Sequence, residues 1–138
     1  MTPEELRTIL RTASTIAVVG LSPKPERPSH RVARYLQQAG YRIVPVNPGH
    51  PTILGEPSYP TLAAAAAAQT IDIVDVFRRS ELAGRIVDEA LALTPRPRLI
   101  WLQVGVVDEA ARARAVAAGV PIVMDQCLMV DHQMLRVS

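Results

Sequence analysis

The chain has 138 residues, a net charge of +2 and 49% apolar residues, enough for one domain with a real core and too apolar for a wholly disordered chain. So small a charge with 4% aromatics excludes a strongly basic nucleic-acid binder built on stacking platforms. No run of about 18 apolar residues offers a membrane span, and one cysteine, Cys127, excludes an internal disulfide or a cysteine metal cluster.

Met1-Thr2-Pro3-Glu4-Glu5 lacks a basic n-region, so a secretory signal is not expected and a cytoplasmic location is. The same residues open a helix: Thr2 caps, Pro3 suits the first helical position and Glu5 completes a capping box, with the helix running to about Arg11. Thr15–Gly20 is an apolar run ending at glycine, a buried strand. Ser29 stands where it caps a helix from His30 to Ala39, closed by Gly40. Tyr41–Val46 is a second strand, with Pro45 near its end, where a missing ladder donor costs least. A Pro- and Gly-rich irregular segment follows, from Asn47 to Pro60. Thr61 then caps the Ala63–Ala68 run, whose small side chains let it lie close to a sheet. Ile71–Phe77 is the third strand. Ser80 stands as the cap of Glu81–Leu93, where Leu82, Ile86, Val87, Ala90 and Leu91 recur at helical spacing. Beyond Pro95 and Pro97 comes a fourth strand, Arg98–Gln103. Asp108 caps Glu109–Ala118, Pro121–Met124 is a fifth strand, and Val130–Val137 makes a terminal helix or turn.

Apolar strands alternating with helices predict an α/β domain, residues 1–138. Its five-stranded parallel sheet carries helices on both faces, in a Rossmann-like doubly wound arrangement. Numbering the strands in sequence, the expected order is 3-2-1-4-5. Ligands of such sheets lie beyond the carboxyl ends of the strands. The segments to inspect are therefore 20–29, 46–49, 77–80, 103–107 and 125–127. In the first, Gly20 permits a sharp turn and Ser22 offers a hydroxyl and an N–H. Lys24, Arg27 and His30 add cationic or donor groups before a helix N-terminus, a set that suits a phosphate or diphosphate. Arg78 and Arg79 precede a helix, where cations oppose the dipole, and this too asks for an anionic partner. A dinucleotide fingerprint would need glycines where Ser22 and Pro25 stand, and Val46-Asn47-Pro48 offers no acid for a ribose, which speaks against NAD.

The runs Ala17–Ser29, Val44–Pro48, Val74–Arg78, Trp101–Gly105 and Val123–Cys127, in this order, resemble the stand-alone CoA-binding protein family. That family is in turn similar to the CoA-binding domain of the succinyl-CoA synthetase alpha subunit. The resemblance extends from about Thr15 to Leu135. It implies coenzyme A lying across the carboxyl rim. Gly20 and Ser22, with Leu21 between them, would meet the phosphates, and Lys24, Arg27 and His30 would stand at cationic contacts. Val46, Asn47 and Pro48 would border the adenine. Phe77 and Arg78 would line the path from adenosine to pantetheine, Gln103 and Gly105 would stand nearer the pantetheine arm, and Arg78 and Arg79 with the loop cations could meet the coenzyme's phosphates. The synthetase's phosphohistidine lies in a second domain, and His30, His50 and His132 do not stand in its place, so ligase catalysis is not carried over.

Other features have plainer readings. Trp101 and His132 read as packing residues, and Cys127 as a small buried hydrophobe or, more sharply, a partner for the coenzyme thiol. Asp72 and Asp75, three positions apart on a strand, fall on opposite faces and make no carboxylate pair. No catalytic set or metal site emerges. The expectation is a protein that binds coenzyme A or a short acyl-CoA and is non-catalytic by itself, with neither nucleic acid nor membrane as partner. A protein partner or homo-oligomer is compatible with it. The alternatives are an NAD- or nucleotide-binding regulatory module and a subunit of an acyl-CoA-processing enzyme.

Overall fold

A computed structural model describes residues 1–137. Helix α1 (Pro3–Thr12) leads into β1 (Thr15–Val19), and α2 (Pro28–Gln38) leads into β2 (Arg42–Val46). Two short strands, β3 (Thr52–Ile53) and β4 (Glu56–Pro57), precede α3 (Leu62–Ala68) and β5 (Ile73–Val76). Then α4 (Ser80–Leu91), β6 (Leu99–Leu102), α5 (Glu109–Ala117), β7 (Ile122–Val123) and α6 (Leu128–Met134) complete the order. The expected α/β class, with a five-stranded parallel sheet between two helical layers, is what folds.

Strand alternation divides the core in two. Ala17, Val19, Val44, Val74, Val76, Ile100 and Leu102 pack on one face against α3, α4 and α5 through Ala65, Ala83, Val87, Ala111 and Ala115. Ile16, Val18, Ile43, Ile73, Leu99 and Trp101 pack on the other against α1, α2 and α6 through Leu10, Val32, Leu36 and Leu128. Alanines on the first face let the helices approach the sheet closely, as the alanine run suggested.

The strand order corrects the expectation. It is β2-β1-β5-β6-β7, so the five sheet strands taken in sequence run 2-1-3-4-5 rather than 3-2-1-4-5. The cause lies at the outer edge of β2. Pro45 has no N–H to offer there. The neighbouring edge groups at the strand's end are taken by Tyr59, whose N–H donates to Pro45 O at 3.0 Å and whose carbonyl accepts from Asn47 N at 2.9 Å. With that edge closed, the third sheet strand pairs on the free side of β1. The consequence is functional. The direction of winding now reverses between β1 and β5, so the crevice that doubly wound folds use for ligands opens between their carboxyl ends.

The helix starts divide into local and tertiary cases. Thr2 accepts from Glu5 N at 3.1 Å, Thr61 from Ala64 N at 3.1 Å and Asp108 from Ala111 N at 3.0 Å, each as its sequence pattern predicts. Ser29 and Ser80 do not cap. Arg27 and Arg79 hold those positions without side-chain cap bonds, because Pro28 occupies the first turn of α2 and both serine hydroxyls are drawn to neighbouring loops. Replacing Thr61 with Ala should cost about 1 kcal/mol. The check is a lowered denaturant midpoint at unchanged slope; an unmoved midpoint would contradict the cap.

The segment read as irregular contains the β3–β4 hairpin. Leu54 and Gly55 turn it at φ of 55° and 75°, a left-handed pair that the Leu-Gly dipeptide does not advertise.

Candidate functional site

The strand register aligns the last residues of β2, β1, β5 and β6 in one row: Val46, Val19, Val76 and Leu102. The next positions, Asn47, Gly20, Phe77 and Gln103, therefore form the rim. Gly20 is constrained there from two sides. Its φ is +86°, and a Cβ would stand 2.5 Å from the Phe77 carbonyl oxygen and 3.2 Å from Arg78 Cδ. Only glycine lets β1 and β5 close together at this point with the Arg78 side chain lying over the turn.

The loop after Gly20 is held by short-range hydrogen bonds. Ser22 N donates to Ser29 Oγ at 3.0 Å, Lys24 N to Ser22 Oγ at 3.1 Å and Arg27 N to Lys24 O at 3.1 Å. Asn47 Nδ2 donates to Leu21 O at 2.7 Å, tying the loop to the end of β2. Leu21 is fully buried in the core, so it anchors the turn and offers a ligand only backbone.

Three adjoining cavities follow the rim. The first, about 470 Å³, is bordered by Gly20, Ser22, Lys24, Arg27, Asn47 and Phe77, with His50 also at its wall. A second, about 480 Å³, shares Pro28 and Phe77 with it and continues past Gln103 to Cys127 and Met129. A third, about 180 Å³, lies under Arg78 between Val46, Pro48 and α4. Ten of the fourteen residues singled out from sequence line one of these spaces. Leu21, His30, Arg79 and Gly105 do not. Arg79 points into solvent 3.8 Å from Glu81, and Gly105 braces its loop by donating to Asp125 Oδ1 at 2.7 Å. His30 is buried at the start of α2, and its Nδ1 has no hydrogen-bond partner. Burial, then the nearby Arg34, holds its pKa below the usual histidine value.

The charge pattern is one-sided. The first cavity has Lys24, Arg27 and His50 at its walls and no carboxylate. Among the described residues, no ion pair engages Lys24, Arg27 or Arg78. Cations gathered without counter-charges at a switch point, beside a helix start, have the chemistry an anion site requires. Beyond Phe77 the walls are mainly apolar, with Arg31 and Arg78 among them.

Sequence reasoning missed His50 and Arg85 as cavity residues, and it placed Val104 in a segment to inspect without singling it out. His50 arrives through the unforeseen hairpin, and Arg85 through the turn of α4 toward β2's end, so neither carried a local signal. Two other expectations have clear structural counterparts. Trp101 is fully buried, with Nε1 donating to Gln126 O at 2.8 Å. His132 pairs with Tyr35 Oη through Nδ1 at 2.7 Å and packs edge-on against Tyr35 and Tyr41. No group of His, Cys, Asp and Glu able to hold a metal occurs among the described residues, and none of their helices is long and apolar enough to cross a membrane.

Fold and rim define a doubly wound α/β protein with a cation-lined crevice at its switch point. Residues 14–133 match the family described as a CoA binding domain, and the chain belongs to that family. It is 40% identical over 132 residues to the uncharacterized protein YneT of Bacillus subtilis strain 168, an alignment covering 96% of this chain and 95% of YneT. It is also similar to the solved structure of the Thermus thermophilus protein designated cell-free ID.343, at 41% identity and a TM-score of 0.90, covering 98% of this chain and 99% of that one. A hypothetical protein from Pyrococcus horikoshii gives 34% identity and a TM-score of 0.90, covering 99% of this chain and 93% of that one.

Proposed function

We propose that this protein binds coenzyme A across the carboxyl ends of its strands and performs no chemistry by itself. The observation that carries the reading is the unpaired Lys24, Arg27 and Arg78 around the Gly20–Ser22 turn, in a chain of the CoA binding domain family. In this reading the diphosphate sits over that turn, where Ser22 and the cations supply donors. The adenine lies toward Val46, Asn47 and Pro48, and the pantetheine arm runs past Phe77 to Gln103. Arg78, at the border of two cavities, reaches either end of the diphosphate. Arg79, exposed beside it, is within reach of the 3′-phosphate only by swinging over the rim. His30 serves as a buried support of the loop, its free Nδ1 turned to the interior.

Calorimetric titration with coenzyme A, dephospho-CoA, NAD and ATP tests this. Coenzyme A should bind best, and dephospho-CoA more weakly by the loss of a phosphate contact. Tighter binding of NAD would establish the nucleotide-module alternative instead. Ser22→Asp and Arg78→Glu should each weaken coenzyme A at least tenfold through like-charge repulsion, about 1.4 kcal/mol, with little effect on folding. Wild-type affinity in both variants would remove the site.

A further inference from the structure

The second cavity is more than a channel for the coenzyme's arm. Its walls, Val32, Phe77, Val104, Val106, Cys127 and Met129, are apolar, and Val104 leaves 68% of its surface in water. An apolar side chain so exposed is ordinarily mobile or incidental. This one is neither at the end of the chain nor on a loose loop. Gly105 N donates to Asp125 Oδ1 at 2.7 Å, Ser80 Oγ donates to Gly105 O at 3.2 Å, and Val107 N donates to Ser80 Oγ at 3.0 Å. Val106 N closes the turn on Gln103 O at 2.9 Å, and buried Gln103 accepts from Leu128 N at 3.2 Å. The loop is thus braced by α4, by the residues after β7 and by the start of α6, and it holds Val104 rigidly at the cavity mouth. Pre-set apolar surface of this kind binds without an ordering cost.

Two cations also stand at this cavity: Arg31, whose Nη1 donates to Glu26 O at 2.8 Å, and Arg78, which lies over Gly20. Strands stand about 4.8 Å apart, so the cavity begins one strand from the phosphate turn, passes Gln103 at the second and continues to Cys127 and Met129, toward the thiol end of a bound coenzyme. The geometry points to a ligand that carries an apolar acyl chain on that thiol: the protein is a receptor for short acyl-CoA thioesters, with the chain seated between Val104 and Met129. This rests on the coenzyme A reading above and specifies its ligand class.

Titration of the whole protein with coenzyme A, acetyl-, butyryl- and hexanoyl-CoA tests it. Burying each methylene is worth about 0.8 kcal/mol, so affinity should rise roughly three- to fourfold per methylene until the cavity is full. In Val104→Ser the rise with chain length should flatten. Acyl thioesters no tighter than coenzyme A, or an unchanged slope in Val104→Ser, would each overturn the inference while leaving coenzyme A binding intact. Failure of coenzyme A itself to bind would remove both readings.

Discussion

Replacing Asp75 with Asn should stabilise the protein at about pH 8 and change its stability little near pH 4. Asp75 lies within β5, in register with Val18 and Trp101, on the face covered by α1, α2 and α6. It is fully buried, and neither carboxylate oxygen has a hydrogen-bond partner. An ion there would have neither water nor counter-charge, so burial raises its pKa well above the usual aspartate value. The sign follows from proton binding. Above the ordinary carboxylate pKa the unfolded chain releases the Asp75 proton while the folded chain keeps it. Stability therefore falls as pH rises, by up to about 1.4 kcal/mol per unit, until the folded pKa is reached. Asn has nearly the same shape and does not ionise, so the variant lacks this penalty. Denaturant unfolding of both proteins across this range is the measurement. A difference that does not grow with pH would show that Asp75 is charged and compensated in the fold.

Asp75 also stands one row below the ligand crevice. Two positions further along each strand on the same face come Gly20, Phe77 and Gln103, the rim itself.

The second large effect is expected at Gly20. Gly20→Ala should cost roughly 2–4 kcal/mol, combining left-handed backbone strain with a Cβ pressed against the Phe77 carbonyl. Relief requires β1 and β5 to separate at their carboxyl ends, exactly where Phe77 divides the two larger cavities. Coenzyme A affinity should fall further than in a variant of equal stability loss made elsewhere, such as Leu10→Ala under α1. A Gly20→Ala protein with wild-type unfolding midpoint would refute the close approach.

Much of this architecture was legible because it is local. The caps at Thr2, Thr61 and Asp108 bind an N–H three residues away, so the pattern carries its own partner. The inner sheet strands β1, β5 and β6 are mostly apolar runs, because each is buried on both faces. The make-up of the 20–29 loop at the rim was legible too, since a glycine turn, a serine and two cations all fall within one loop. Ser29 and Ser80 misled for the opposite reason. Their hydroxyls serve Ser22 and the Gly105–Val107 loop, and only the folded chain brings those partners near.

Strand order belongs to the tertiary structure because pairing depends on which edges remain open. Pro45 and Tyr59 close the outer edge of β2, and no local pattern announces that the chain will return there. The apolar cavity is of the same kind, assembled from α2, the ends of β5 and β6 and the start of α6. Local hydrogen-bonding and hydrophobic period wrote the elements and the cation-bearing loop into the chain. Long-range edge pairing and the packing of distant segments decided where the crevice opens and what lines its far end.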